Sequence, residues 1–374
     1  MLGLCFVRSK LRSRSNVPRP GAMEMLNLAR VIATGRLMHH AGETRSFTGL
    51  AQARLARMMG VEHALLVNSG TSALIVALRA AGVGPGDEVL VPAYTWVSTA
   101  SAPLFLGAIP ILVDIDESLT MDPADLERKI TPFSKAVIPV HMLNLVCDMD
   151  RIMAIATRHG LAVVEDACQA VGVSYKGQRA GSIGHLGAFS FNHYKNVTSG
   201  EGGAVITNDG RLMRRAEVYH DIGTFSADYS AADWDFVGCN QRVSELTSAV
   251  LLAQFGRLDR DLQKRRQRRQ RNIDRLVPTS AGKISVHHDP DAAIGLTLTF
   301  ESSEEAKEFA SRHPAVTRIG DIKRHDYVSW LPVLQHCSLD PRTDPFRSAR
   351  REVTYSSDMC ARTTEILSRT CLVA

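Results

Sequence analysis

The sequence predicts an α/β fold: a large domain with a mainly parallel sheet flanked by helices, then a smaller C-terminal α+β domain. Three observations predict it. From about residue 60, short apolar runs alternate with stretches of helical length, which implies parallel strands, right-handed crossovers and helices on both faces. After residue 245 the pattern changes to a long helix followed by a second, shorter strand–helix unit. The chain has 374 residues, 45% of them hydrophobic and 22% charged, which is ordinary globular composition with room for a large domain and a satellite.

The elements follow in order. An apolar strand over 64–67 leads through Asn68-Ser69-Gly70-Thr71-Ser72 into an Ala/Leu-rich helix, ended by Gly82 and the turn Gly84-Pro85-Gly86-Asp87. Strands are expected at 89–91, 109–113, 136–140 and 161–164, with helices near 95–106, 122–130 and 148–158; Asp122-Pro123 supplies an N-cap and a first helical residue. The uncharged stretch 89–113 contains Pro92, Pro103, Pro110 and Gly107, so it reads as a buried strand–helix–strand and not a membrane span. Beyond 245, Leu251, Leu252, Phe255, Leu258 and Leu262 keep helical spacing and run on into the basic segment 264–271. A strand over 295–300 and a helix over 303–312 follow. We place domain limits at 1–23 (a basic, disordered arm), 24–255 (large domain) and 256–374 (small domain).

The formal charge of +5 arises from 44 Lys and Arg against 39 Asp and Glu. Arg8, Lys10, Arg12, Arg14 and Arg19 precede the first carboxylate, Glu24, and without them 39 basic residues face 39 acidic ones. The basicity therefore belongs to the arm, whose Arg/Ser-rich, acid-free character is that of a transit peptide or an unstructured leader. The body carries no acidic-partner signature. The run 264–271 lacks interleaved aromatics and reads as a solvated helix face, not a nucleic-acid patch. Seven scattered cysteines contain no C-x-x-C pair, which argues against a zinc site or a disulfide framework and for a reducing compartment.

Three segments carry chemistry. Ser69-Gly70-Thr71-Ser72 opens a helix, where backbone N–H groups, hydroxyls and the helix dipole make an anion site; alone, such a segment is only a cap. Glu165-Asp166-Ala-Cys168-Gln169 directly follows a strand, and a carboxylate there points into the ligand crevice of an open sheet. Lys195 lies in a Phe/Gly/Ser-rich stretch, 187–203, with little neighbouring charge, and burial of an ammonium favours the free amine that forms Schiff bases. A phosphate cradle, an Asp at a strand end and a buried Lys about thirty residues later are together what pyridoxal 5'-phosphate requires.

These segments bring the sequence close to a known family. Ser69-Gly-Thr-Ser-Ala-Leu, Gly-Pro-Gly-Asp87-Glu-Val, Pro92-Ala-Tyr-Thr-Trp96, Pro139-Val-His141 with Asp148-Met-Asp, and Glu165-Asp-Ala-Cys-Gln169 match it, as do Gly187-Ala-Phe-Ser-Phe…Lys195-Asn…Gly200-Glu-Gly-Gly203 and Gly238-Cys-Asn240-Gln-Arg242-Val-Ser-Glu245. The chain resembles the DegT/DnrJ/StrS sugar aminotransferases, of aspartate-aminotransferase-like (type I) fold, from about residue 45 to 275. The resemblance implies that Lys195 forms the Schiff base and shuttles the proton, and that Asp166 partners the pyridinium nitrogen. It implies Gln169 as donor to the phenolic oxygen, Trp96 stacked on the ring, and Cys168 as the small residue behind it. Gly70, Thr71, Ser72 and Ser190 become the phosphate cup, and Asn240 reaches the phosphate of a neighbouring subunit, hence a homodimer with shared sites. A dehydratase branch replaces this lysine with histidine; here His193 lies two positions off, which favours transamination.

The implied function is transfer of an amino group from glutamate or glutamine to a keto-sugar, nucleotide-linked, or to a keto-cyclitol, in amino-sugar biosynthesis in the cytoplasm, with no metal, membrane or nucleic-acid partner. The alternatives are a catalytically silent cofactor- or sugar-binding relative, against which an intact Lys195 and Asp166 argue, and a nucleic-acid-associated protein, against which the neutral body argues. The chain stops nine residues after Glu365, where relatives continue through a last strand and helix, so a shortened small domain is expected.

Overall fold

The computed structural model describes residues 20–39, 44–223 and 236–373; the basic arm lies, but for its last four residues, outside them. Helices α1 (Ala22–Thr34) and α2 (Phe47–Met59) lead into β1 (His63–Val67), α3 (Gly70–Ala80), β2 (Glu88–Pro92), α4 (Ser98–Phe105), β3 (Ile109–Val113), α5 (Pro123–Lys129), β4 (Ser134–Val137), α6 (Met149–His159) and β5 (Ala162–Asp166). A small hairpin, β6 (Ser174–Tyr175) and β7 (Gln178–Arg179), precedes β8 (Leu186–Ser190), β9 (Gly203–Thr207) and α7 (Gly210–His220). Then come α8 (Glu245–Phe255), α9 (Leu258–Leu276), β10 (Lys283–Ile284), β11 (Leu296–Thr299), α10 (Ser303–Arg312), β12 (Val316–Arg318), α11 (Leu331–Leu334), α12 (Ala361–Ser368) and β13 (Thr370–Val373).

Seven strands form the central sheet in the order β1-β9-β8-β5-β4-β2-β3. Only β9 runs against the rest, so the sheet is mixed and mostly parallel, as expected. Its two faces separate by strand alternation. Val89, Val91, Val164 and Ala188 pack with Leu74 and Leu78 of α3 and Ala100 of α4. Leu90, Val137, Val163 and Phe189 pack the other way, with Leu55 of α2, Ile152 of α6 and Leu251 of α8. Helix starts are capped by short polar side chains, among them Ser46, Ser69, Asp122, Asp148, Asp209, Ser244 and Ser302.

The second sheet has the order β10-β11-β13-β12, so the last described residues occupy an inner strand. The long helix expected after 245 is instead two. The break falls at Gly256-Arg257, where Arg257 leaves helical geometry (φ −120°, ψ 2°) beside the weakest helix former after proline. This turn still lets Leu258 and Leu262 reach the same core cluster as Leu251 and Phe255. A further finding is that residues 323–367 return to the large sheet: Tyr327, Trp330, Ile366 and Leu367 pack into the α3/α4 cluster. Tyr327 N donates to Ala93 O (3.0 Å) and Thr95 N to His325 O (2.9 Å), which lays this segment over Trp96.

Candidate active site

Alternation along β5 decides which acid faces the site. Val163 and Val164 belong to opposite faces, so Glu165 and Asp166 do too. Asp166 turns toward α4: Thr99 Oγ1 donates to its Oδ2 at 2.8 Å and the Cys168 N–H to its Oδ1 at 3.1 Å. Since the one Thr99 proton is committed there, Thr95 Oγ1, 2.8 Å away, is the donor to Thr99. Asp166 is 5% exposed, and among the described residues it has no cation within ion-pair distance. Buried carboxylates are matched best by a positive partner, and these neutral donors leave that role open.

Glu165 turns to the other face and is fully buried. It accepts from Gly181 N (2.7 Å), Ile183 N (2.6 Å) and Gly184 N (2.5 Å), and faces His141 Nε2 at 2.8 Å. The Cys147 N–H donates to His141 Nδ1 (3.2 Å), so the ring proton sits on Nε2, toward Glu165. His141 N in turn donates to Asp166 O (3.0 Å). Glu165 thus holds the strand end that carries Asp166 and takes no place in the cavity.

Gly70 opens α3 against the end of β8. A Cβ there would meet Ser190 Cβ at 2.7 Å and Cys168 Sγ at 3.1 Å, so only glycine lets the helix N-terminus approach Ser190 this closely. Ser69 Oγ caps the helix by accepting from Ser72 N (3.1 Å), and Thr71 Oγ1 donates to Ser98 Oγ (2.8 Å). Ser72 Oγ is spent on Asn68 Oδ1 (2.6 Å).

Lys195 sits in the loop between β8 and β9. It is half-buried, not buried as expected from its apolar neighbours, in a loop whose Tyr194 is 81% exposed. Among the described residues its Nζ makes no hydrogen bond or ion pair. Its charge reaches two groups. Burial and then Asp166 push the Cys168 thiol well above its ordinary value, with Lys195 pulling the other way. Burial, then Arg324 and Lys195, push His325 down to about 4. Lys195 is anchored through its neighbour: Asn196 Nδ2 donates to Asn144 Oδ1 (2.7 Å) and Val171 O (3.3 Å). Asn144 and Leu143 adopt φ of 65° and 54°, a left-handed pair that costs about 1–2 kcal/mol per non-glycine residue. Leu143 N donates to Gln169 Oε1 (3.2 Å), which leaves the Gln169 NH₂ to a ligand.

A cavity of about 840 Å³ collects these groups: Gly70, Thr71, Trp96, Asp166, Gln169, Ser190 and Lys195 all line it, with Cys168. Trp96 is 45% exposed and meets His325 edge-on, with ring centroids 5.8 Å apart. Ser72 and Asn240 do not line it; Asn240 is exposed, its Oδ1 accepting from Arg242 N (3.2 Å). Sequence reasoning missed Ser98, Thr99, Asn144 and Asn196. It also read 264–271 wholly as a solvated face, and that is corrected: Arg265, Arg268 and Arg269 line the cavity and are half-buried. Helical periodicity from Leu258 and Leu262, carried into the basic run, would have shown that one side of it turns inward. Among the described residues no helix is long and apolar enough to cross a membrane, and no group of three or more His, Cys, Asp and Glu could hold a metal ion.

Residues 21–318 match the family model of the DegT/DnrJ/EryC1/StrS aminotransferase family. L-glutamine:2-deoxy-scyllo-inosose aminotransferase of Micromonospora echinospora is 41% identical over 261 residues, 67% of this chain and 61% of that one. GDP-perosamine synthase of Caulobacter vibrioides is 44% identical over 205 residues, 54% of each. The chain thus spans about half to three-fifths of the length of these relatives. Among solved structures, 3-amino-5-hydroxybenzoic acid synthase superposes with a TM-score of 0.78 at 28% identity, over 96% of this chain and 91% of that one. DesV of S. venezuelae, in complex with a ketimine intermediate, gives 0.74 at 30% identity, over 94% and 88%.

Proposed function

The chain belongs to the DegT/DnrJ/EryC1/StrS aminotransferase family, and from that premise we propose that it is a pyridoxal-phosphate-dependent aminotransferase. It moves an amino group from glutamate or glutamine to a keto-sugar, nucleotide-linked, or a keto-cyclitol, in amino-sugar biosynthesis. The observation that carries this reading is the pairing, across one cavity, of a buried Asp166 and a Lys195 amine that have, among the described residues, no counter-charge and no partner respectively. The relatives named for 2-deoxy-scyllo-inosose and GDP-perosamine support the two acceptor classes.

The residues fit the cofactor. Gly70, whose missing Cβ leaves room beside Ser190, would hold the phosphate at the N-terminus of α3, with Thr71 and Ser190 hydroxyls adding donors. Asp166, oriented by the Thr99 hydroxyl and the Cys168 N–H, would hold a proton on the ring nitrogen. Trp96 would cover the ring, and the Gln169 NH₂ would donate to its oxygen. Pyridoxal phosphate, when bound, supplies an aldehyde for the migrating nitrogen and a ring that accepts the electron pair of a broken C–H bond. Lys195 Nζ would take the proton from one carbon and return it to the next, as general base and then acid. Ser72, its N–H taken by the Ser69 cap and its hydroxyl by Asn68, would serve this site only by fixing the start of α3.

Two further readings belong with it. A homodimer is supported by Asn240, exposed and outside its own cavity, and by Met23, Met25, Leu26 and Ile32 exposed along α1; Asn240 would reach the partner's phosphate. A cytoplasmic site is supported by the six described cysteines, all free. The test is a half-reaction. Cofactor-loaded protein mixed with glutamine or glutamate should lose its visible absorption band and release the keto acid. Lys195→Ala should do neither, and a silent wild type would leave the scaffold reading in its place.

A further inference from the structure

We infer that the loop His141–Asn144 is a template that fixes Asp166, Gln169 and Lys195 relative to one another, and that Asn144 is the positioning residue through which it holds Lys195. This rests on the aminotransferase reading and deepens it, by naming what aims the proton-carrying amine.

Four consecutive residues reach all three groups. His141 N donates to Asp166 O (3.0 Å) and Leu143 N to Gln169 Oε1 (3.2 Å). Asn144 Oδ1 accepts from Asn196 Nδ2 (2.7 Å), one residue past Lys195. The sense of that last bond is fixed. Val171 O can only accept, so the Asn196 atom 3.3 Å from it is the NH₂ nitrogen, and the same nitrogen meets Asn144 Oδ1. Both protons of that amide are thereby committed. Asn196 is buried, so an acceptor lost at Asn144 leaves an N–H unpaired inside the protein. The other side of Lys195 is tied by its own N–H, which donates to Asn192 O (3.0 Å). Its Nζ makes no hydrogen bond among the described residues, so the aim of the amine comes from these backbone ties.

The reach of the loop needs an unusual backbone. Leu143 (φ 54°, ψ 28°) and Asn144 (φ 65°) are, among the described residues, the only adjacent non-glycine pair with positive φ. Asparagine visits this region readily, leucine does not. Both sides of the loop hold it there. His141 Nε2 donates to Glu165 Oε2 (2.8 Å), and the Cys147 N–H donates to His141 Nδ1 (3.2 Å). From the small domain, Gly295 packs so closely that a Cβ on it would lie 2.6 Å from Leu143 O. Strained backbone that its surroundings over-determine, beside a reacting amine, is the signature of pre-organisation.

The test is Asn144→Gly in the cofactor-loaded full chain. Glycine keeps the left-handed backbone without steric cost and removes only the side-chain acceptor. Melting should therefore stay within about 2 °C of wild type. The single-turnover rate with the amino donor should fall about 10–100-fold, as expected when a reacting group is misplaced by up to about 1 Å. The donor concentration giving half that rate should stay within about twofold. Induced circular dichroism of the visible band, which needs no turnover, should weaken at equal cofactor loading. Asn196→Ala should behave alike, and the double variant should lose no more than the worse single one, because both remove the same bond. A wild-type rate and dichroism in Asn144→Gly overturn the inference. So does additive loss in the double variant, or a change confined to the half-saturating donor concentration, which would make Asn144 a donor contact. A wild type whose cofactor is not attached to Lys195 refutes the aminotransferase reading instead.

Discussion

Substituting Gly70 tests how closely the phosphate cup is built. The added Cβ of Gly70→Ala would lie 2.7 Å from Ser190 Cβ and 3.1 Å from Cys168 Sγ, where carbon contacts relax at about 3.5–4.0 Å. Neither neighbour yields cheaply, because Ser190 Cβ is fixed to an inner strand and Gly70 to the start of α3. The helix end and the strand end must part by roughly 1 Å. Overpacking of this kind costs about 1–3 kcal/mol, offset by up to about 1 kcal/mol of better helix propensity. Melting should fall by no more than roughly 4 °C in a chain of this length. The larger effect falls on the cofactor. A 1 Å separation takes a donor at hydrogen-bond distance out of reach, and one charge-assisted bond lost, about 1.5–3 kcal/mol, corresponds to roughly 10–150-fold in Kd. Gly210 is the control: it also opens a helix, but its Cβ would meet nothing nearer than His63 Nε2 at 3.5 Å, so Gly210→Ala should leave cofactor affinity alone. The assay is fluorescence-monitored cofactor titration beside thermal melts. A Gly70→Ala protein that binds within twofold of wild type would refute the reasoning.

Three more outcomes follow from the same geometry. Thr99→Val keeps shape but removes the Thr95–Thr99–Asp166 relay, and turnover should drop about 10-fold or more; unchanged steady-state rates would detach Asp166 from catalysis. Glu165→Gln sets an NH₂ against N–H donors in a sealed site and should destabilise by about 3–5 kcal/mol, with less than 1 kcal/mol in urea denaturation contradicting it. His325, held down to about 4, charges in the unfolded chain first, below pH about 6.5. Its contribution is therefore lost as pH falls from about 6.5 toward 4, and His325→Gln should flatten the pH slope of the melting temperature in that window; parallel slopes would contradict it.

Much of the sheet and most of the cavity were legible because their signals are local. Apolar runs locate strands, and Asp166 and Lys195 stand in segments whose neighbours already mark strand end and loop. Thr99 was not legible: it is one hydroxyl in an uncharged helix, and only the tertiary packing of α4 under β5 aims it at Asp166. Asn144 and Asn196 meet across a separation of 52 residues, which no spacing rule spans. The inward arginines were misread because composition was weighed without phase. Half of a basic run can be buried when the helix it continues is already oriented by Leu258 and Leu262. The break at Gly256 was overlooked because apolar spacing passes through it undisturbed.

The most direct test of the central claim is borohydride reduction of the cofactor-loaded protein followed by peptide mass mapping. The account expects the reduced pyridoxyl group on Lys195 and none fixed in Lys195→Ala. A pyridoxyl group on another lysine of the wild type, or cofactor still fixed in the variant, would contradict it.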